Sequence, residues 1–241
     1  MTRRALVIGI NYHESATQTL LRGCINDAKH MSELLSGIGY TVTMLTDDDP
    51  DAMPTARRIL RELLALVSAP EGSELVLHYS GHGVYVSDTN GDERDGRDEC
   101  IVSSDDQIIR DDTLNQIIRM LPPSCALTCI MDACHSGSIL DLPYKLHSAP
   151  PATPPSCARV TLLSACMDSQ TAADTTDLRP GIDTYGGAMS SALLFCLKYT
   201  HNWPELVKLI RFVLRKRRHH QVPQLTASFD VNADFVAKLL M

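Results

Sequence analysis

The feature that most constrains this chain is an alternation. Short apolar runs with the length and residue types of buried strands take turns with segments whose apolar residues recur at helical spacing. ALVIGIN (5–11) is followed by CINDAKHMSELLSGIG (24–39), where Ile25, Ala28, Met31, Leu34 and Leu35 share one helical face that ends at Gly37. YTVTMLTD (40–47) alternates as a strand does. After Pro54, the stretch 55–69 sets Ala56, Ile59, Leu60, Leu63, Leu64 and Val67 at helical spacing, and SELVLHYS (73–80) is again strand-like and runs into GHG. Further on, the pattern predicts a short strand in ECIVSS (99–104), a helix over 113–120, and strands in ALTCIMD (126–132) and RVTLLSA (159–165). Helices at 187–200 and 203–218 and a strand in PQLTASFD (223–230) complete the chain. Strands and helices in this order need right-handed crossovers, which lay helices on both faces of a mostly parallel sheet. The fold class is therefore α/β, and chemistry in such sheets gathers beyond the C-terminal ends of the strands.

Bulk properties exclude several classes. With 241 residues, 44% hydrophobic and 21% charged, the chain suits one large domain or at most two small ones, and no repeat divides it. No apolar run approaches the roughly 20 residues of a membrane span, so a membrane partner is not expected. MTRRALVIGIN lacks a small-residue cleavage site and reads as a first core strand rather than a signal peptide. The eight cysteines contain no Cys-x-x-Cys pair, and several sit inside apolar runs, which speaks against structural zinc. A reducing cytoplasmic or nuclear setting fits them. The net charge of −7 is concentrated: ten carboxylates between Asp88 and Asp112 face only Arg94, Arg97 and Arg110, so that stretch alone carries −7. Carboxylates this crowded face water or hold a cation. Nucleic acid is a poor partner for them, and RKRRHH (215–220) reads as favourable charge at a helix C-terminus.

Two strands end in reactive residues. LVLHYSGHG delivers His82, and ALTCIMDACHSG delivers Cys134. A cysteine at a strand end is either an inert core thiol or a nucleophile, and the nucleophile needs a histidine within reach. Glycines on both sides of His82 give it a loop and leave room for substrate, and the N–H groups of Gly83 and Cys134 are candidates for an oxyanion hole. His82 precedes Cys134 by 52 residues, near the roughly 50 of caspases. His135 is a rival base that would point away from its neighbour, and His78, inside its strand, reads as a core histidine. Asp27, in GCINDA at the end of the first strand, and Asp132, two residues before Cys134, can face one pocket. Two carboxylates there call for a cation between them, such as an Arg or Lys side chain. The competing reading of Asp27 is a helix N-cap.

HYSGHG and DACHSGS, with RALVIGINY and LRGCINDA upstream and DLPY and SACMDSQTAAD downstream, resemble a type I metacaspase from Arg4 to about Asp230. The resemblance implies a caspase-like fold in one catalytic domain. Residues 1–146 would be large-subunit-like and carry the dyad, 147–157 a Pro-rich linker, and 158–241 small-subunit-like. It implies a cysteine endopeptidase with His82 as general base and Cys134 as nucleophile, activated by calcium, cutting peptides after Arg or Lys held by Asp27 and Asp132. A monomer is expected. The family pattern matches Asp98, Asp111, Asp112 and Asp141 to the calcium site. An EF-hand in DTNGDERDGRDE fails because Glu93 stands where glycine is needed, while the bland alternative makes Asp111 an N-cap and leaves Asp98 solvated. HYSGHGVYVSD departs from the HYSGHGGQ of many relatives, and the Pro/Gln-rich prodomain frequent in type I members is not seen ahead of Arg4. Lys145, just before the linker, is the expected self-cleavage site, with Arg159 and Arg179 as competitors. A catalytically idle calcium-binding scaffold of the same fold is the alternative from another class.

Overall fold

The structure, a computed structural model, describes residues 2–88, 96–134, 136, 139–148, 158–166, 174–176 and 185–231, with the backbone alone for 174–176. Its centre is a seven-stranded sheet. β1 (Arg3–Gly9), β2 (Thr41–Thr46), β3 (Glu74–Ser80), β7 (Ala126–Asp132) and β9 (Arg159–Ser164) run parallel in the order β2-β1-β3-β7-β9. β12 (Gln224–Ala227) adds antiparallel to β9, and the two-residue β8 (Tyr144–Lys145) closes the edge antiparallel to β12. A separate antiparallel sheet holds β4 (Gly83–Ser87), β5 (Arg97–Val102) and β6 (Ile108–Arg110), and β10 (Asp174–Thr176) pairs with β11 (Tyr185–Gly187).

The period of two along each strand builds two cores. On one face Ala5, Val7, Val76, Ile130 and Leu163 meet α1 (Cys24–Gly37), α4 (Ala188–Cys196) and α5 (Trp203–Lys216). On the other Leu6, Ile8, Leu75, Leu77, Leu127 and Leu162 meet α2 (Ala56–Val67) and α3 (Asp111–Ile118). Both faces of β3 and β7 are thus covered, and their C-terminal ends lead into Gly81–His82 and Ala133–Cys134. Thr55 and Asn202 cap α2 and α5 by accepting from Arg58 N (3.3 Å) and Glu205 N (3.1 Å), which fixes where both helices begin.

Several elements depart from the sequence reading. α3 begins at Asp111 because Arg110 is its N-cap, and α4 stops at Cys196 rather than 200. Residues 83–87, expected as a loop around the histidine, form β4. Their small glycine entry conceals the strand alternation of Val84, Tyr85 and Val86. Lys145, the expected self-cleavage site, lies on a sheet edge. Its side chain is exposed, but it pairs with Thr226, its carbonyl accepts from Ser148 N at 3.0 Å, and Leu146 N donates to Leu225 O at 3.0 Å. The bond after Lys145 is thus tied into a sheet edge. Arg159, as expected, opens β9. Residues 149–157 of the linker, and Arg179, lie outside the described residues.

Candidate active site

His82 occupies the short link between β3 and β4. Its N–H donates to Tyr12 Oη (2.8 Å), and its carbonyl accepts from Tyr79 Oη (2.7 Å) and Val102 N (3.1 Å). The two tyrosine hydroxyls lie 3.0 Å apart, and each reaches Val102 O. Burial pushes both phenols up, so they stay protonated donors. The imidazole rests 4.6 Å from the Tyr12 ring, and its Nε2 lies 2.6 Å from Thr19 O. A carbonyl only accepts, so Nε2 carries the proton and Nδ1 is left as the basic nitrogen.

The glycines act by close approach rather than by backbone freedom, since neither adopts positive φ. A Cβ on Gly81 would stand 2.6 Å from Tyr79 Oη and 2.9 Å from Tyr12 Oη. One on Gly83 would run into the Cys134 carbonyl and lie 3.2 Å from Ala133 Cβ, so the histidine and cysteine segments touch at Gly83. Val102 N bonds His82 O and Asp88 N bonds Gly96 O, which makes Gly83↔Ile101 a non-hydrogen-bonded pair of the β4–β5 ladder. The Gly83 N–H therefore points out of that ladder, as an oxyanion donor must.

Cys134 is half-buried, whereas Cys24, Cys100, Cys125, Cys129, Cys166 and Cys196 are buried. Desolvation pushes the thiols of Cys100 and Cys196 up to about 12 and about 11 and raises Cys129 further, so these are inert. The turn before Cys134 is pinned twice: Ser136 Oγ donates to Ala133 O (2.9 Å), and Cys166 Sγ approaches the same oxygen at 3.4 Å. His135 lies outside the described residues.

The two acids of the expected pocket do converge. Asp27, 2% exposed, lies in the first turn of α1 rather than at a strand end, and it does not cap that helix. Its Oδ2 accepts from Ser80 Oγ and Gly187 N, both at 2.8 Å. Asp132, 4% exposed, accepts from Ser190 N at 2.7 Å. Asp27 Oδ2 and Asp132 Cγ each lie 2.8 Å from the point where a Cβ of Gly187 would stand, so they are at most 5.6 Å apart. The room between them exists because residue 187 has no side chain. Asn26 Nδ2 holds Tyr185 O at 2.9 Å and Arg22 lies over the Tyr185 ring, which seats β11 against α1.

Three carboxylates of the acidic segment are buried rather than solvated. Asp98, Glu99 and Asp111 are each 2% exposed. Asp111 accepts from Glu99 N (2.8 Å) and Asp112 N (2.7 Å), Asp98 pairs with Arg110 at 3.6 Å, and Asp141, at φ 48°, accepts from Asn115 Nδ2 at 3.4 Å. Burial, with repulsion from Asp141 and Asp98, pushes Asp111 up to about 6. Hard oxygens from three segments that repel one another are the donor chemistry calcium takes. Among the described residues, however, no three such groups stand close enough to share an ion.

Tyr12, Tyr79, the Thr19 carbonyl and the N–H groups of Gly187 and Ser190 were not foreseen. Only the tyrosines carry a sequence signal, as polar-tipped aromatics flanking the histidine strand. Residues 3–143 match the family described as metacaspase, peptidase C14 domain. The chain is 45% identical over 153 residues to Metacaspase-1 of Scheffersomyces stipitis, covering 59% of this chain and 38% of the relative. It is 43% identical over 148 residues to Metacaspase-4 of Arabidopsis thaliana, covering 58% of this chain and 35% of that one. The match thus spans little more than a third of these curated relatives. Among solved structures, a Geobacter sulfurreducens protein superposes with a TM-score of 0.69 at 22% identity, covering 100% of this chain and 97% of that one. Caspase-1 from Spodoptera frugiperda gives 0.65 at 12% identity, covering 96% and 90%. With the caspase-like sheet, the family match over more than half its length and these relatives together, the chain belongs to the metacaspase family.

Proposed function

We propose that this chain is a cysteine endopeptidase that cleaves after Arg or Lys with a His82–Cys134 dyad and is stimulated by calcium. The observation that carries the specificity is the convergence of Asp27 with Asp132, which precedes Cys134 by two residues, on the space beside Gly187. A guanidinium or ammonium entering above that space meets two carboxylates already held by Ser80, Gly187 and Ser190. With the substrate seated, His82 Nδ1 takes the Cys134 proton while Thr19 O holds Nε2–H and steadies the imidazolium. The thiolate attacks the carbonyl carbon after the basic residue, and the Gly83 and Cys134 N–H groups receive the oxyanion. His82 returns the proton to the leaving amine. It then activates water to release the acyl group from sulfur.

Calcium, where bound, would supply charge compensation to the acidic segment, with Asp98, Asp111, Asp112 and Asp141 as its ligands once they close in on it, since as they stand no three of the described groups are near enough to share an ion. Self-processing after Lys145 requires β8 to leave the sheet first. The buried thiols suit a reducing cytoplasmic compartment, and the substrates are peptides or proteins with Arg or Lys before the cut. The test compares fluorogenic peptides that differ only at the residue before the cut, with and without calcium, on the wild type and Cys134→Ala. Hydrolysis of Arg and Lys peptides by the wild type alone, raised by calcium, supports the reading. Equal hydrolysis of neutral peptides, or activity in the alanine variant, refutes it.

A further inference from the structure

His78 lies at the centre of β3 between Val7 and Ile130, fully buried on the face that packs against α4. An apolar residue would fill that place more cheaply. Desolvation pushes the imidazole down to about 3, and its Nδ1 has no hydrogen-bond partner. Its one polar contact is Nε2 to Ser190 Oγ at 3.3 Å. A buried, unmatched N–H costs more than an unmatched lone pair, so the neutral ring carries its proton on Nε2 and donates it to Ser190.

Ser190 is the third residue of α4, and its own N–H holds Asp132. Two positions along the same face of β3, Ser80 Oγ holds Asp27 directly. Gly187, at the entry to α4, supplies the second N–H to Asp27. β3 therefore reaches both acids of the pocket, one through Ser80 and the other through His78 and the first turn of α4. We propose that His78 is a positioning residue for recognition of the basic side chain: by fixing Ser190 it seats the α4 entry so that Asp27 and Asp132 stay convergent. The inference rests on the Arg/Lys pocket of the proposed function and adds the device that keeps that pocket assembled.

The ring touches neither substrate nor the dyad, so its loss acts on binding rather than on chemistry. The experiment measures kcat and KM of the wild type, His78→Leu, His78→Gln, Ser190→Ala and the His78→Leu/Ser190→Ala double variant. Matched peptides carry Arg or its neutral isostere citrulline before the cut. His78→Leu and Ser190→Ala should each raise KM for the Arg peptide about tenfold, with kcat within about threefold, and shrink the Arg-over-citrulline preference by the same factor. The double variant should be no worse than either single one, because both break the same link. His78→Gln, whose amide N–H overlays Nε2–H, should restore most of the preference. Iodoacetamide should alkylate Cys134 at the wild-type rate throughout.

Unchanged KM in His78→Leu and Ser190→Ala overturns the inference. So does an equal loss on Arg and citrulline peptides, which marks general damage. If His78→Leu fails to fold, Ser190→Ala and His78→Gln still decide by the same measures. A wild type that cuts both peptides equally instead defeats the pocket reading itself.

Discussion

Acidification should unfold this protein through His78, by an amount the structure sets. The folded state holds the ring at about 3 against 6.5 when exposed, by desolvation alone. Below pH 6.5 the unfolded chain therefore binds a proton that the folded chain refuses, and stability falls with pH until about pH 3. At pH 5 the penalty is about 2 kcal/mol relative to pH 7, from 1.36 kcal/mol per pH unit over the 1.5 units below 6.5. For a domain of this size that is about 4–8 °C in melting temperature. Asp111 acts in the opposite sense. Its carboxyl is pushed up to about 6, so the folded state favours the proton, and it adds stability as pH falls from 6 toward 4. The two effects blur in the wild type alone, so the informative quantity is the difference between wild type and His78→Leu, in which Asp111 cancels. Urea or thermal unfolding from pH 7.5 to 4.5 in chelator should show the gap between them move by about 2.7 kcal/mol in favour of the variant, from 1.36 kcal/mol per pH unit over the two units below 6.5. Parallel profiles would show that the ring is solvated in solution, and the reasoning from its burial would fail.

Cys134→Ala should abolish peptidase activity and leave the melting temperature within a degree or two, since a small residue fits the strand end; turnover above a tenth of wild type refutes the nucleophile. Asp27→Asn and Asp132→Asn should each lower kcat/KM on Arg peptides by about 10–150-fold, the worth of a charged hydrogen bond of 1.5–3 kcal/mol. Wild-type kinetics in both would place the pocket elsewhere. Asp111→Asn should raise the calcium needed for half-maximal activity without altering alkylation of Cys134, and a wild-type calcium response would remove Asp111 from the site. Mass spectrometry of calcium-treated protein should find any cut after Lys145 slow and accelerated by Thr226→Pro, which loosens the β8–β12 edge; a fast cut in the wild type would mean that the edge does not protect the bond.

The parallel strands were legible because both of their faces are buried, so β1, β3, β7 and β9 read as unbroken apolar runs. The positions of His82 and Cys134 followed, since such strands aim their C-terminal ends at one edge. β4 and β8 were not legible. The first hides behind the glycine of the histidine link, and the second is two residues long and owes its existence to the edge of β12. The acids of the pocket could be named from sequence, but what holds them could not. Gly187 and Ser190 contribute N–H groups, as any residue would, and Thr19 contributes a carbonyl. What the sequence does encode at 187 is an absence. Only glycine leaves the space into which both carboxylates turn.

That space explains how two buried acids coexist before a substrate arrives. Two carboxylate charges at most 5.6 Å apart, at an effective dielectric near 20, would repel by at least about 3 kcal/mol. Against this stand three short hydrogen bonds, from Ser80 Oγ and Gly187 N to Asp27 and from Ser190 N to Asp132, each charge-assisted. Two of the three donors belong to the entry of α4, where the macrodipole also favours negative charge. The helix entry therefore offsets part of the repulsion that two ionised carboxylates would feel there. In the proposed pocket a basic side chain would gain from both acids, while a neutral one would desolvate them with nothing in return. On that proposal, discrimination would depend on the seating of the helix as much as on the acids, and a change confined to the α4 entry should alter which peptides are cut before it alters how fast Cys134 reacts.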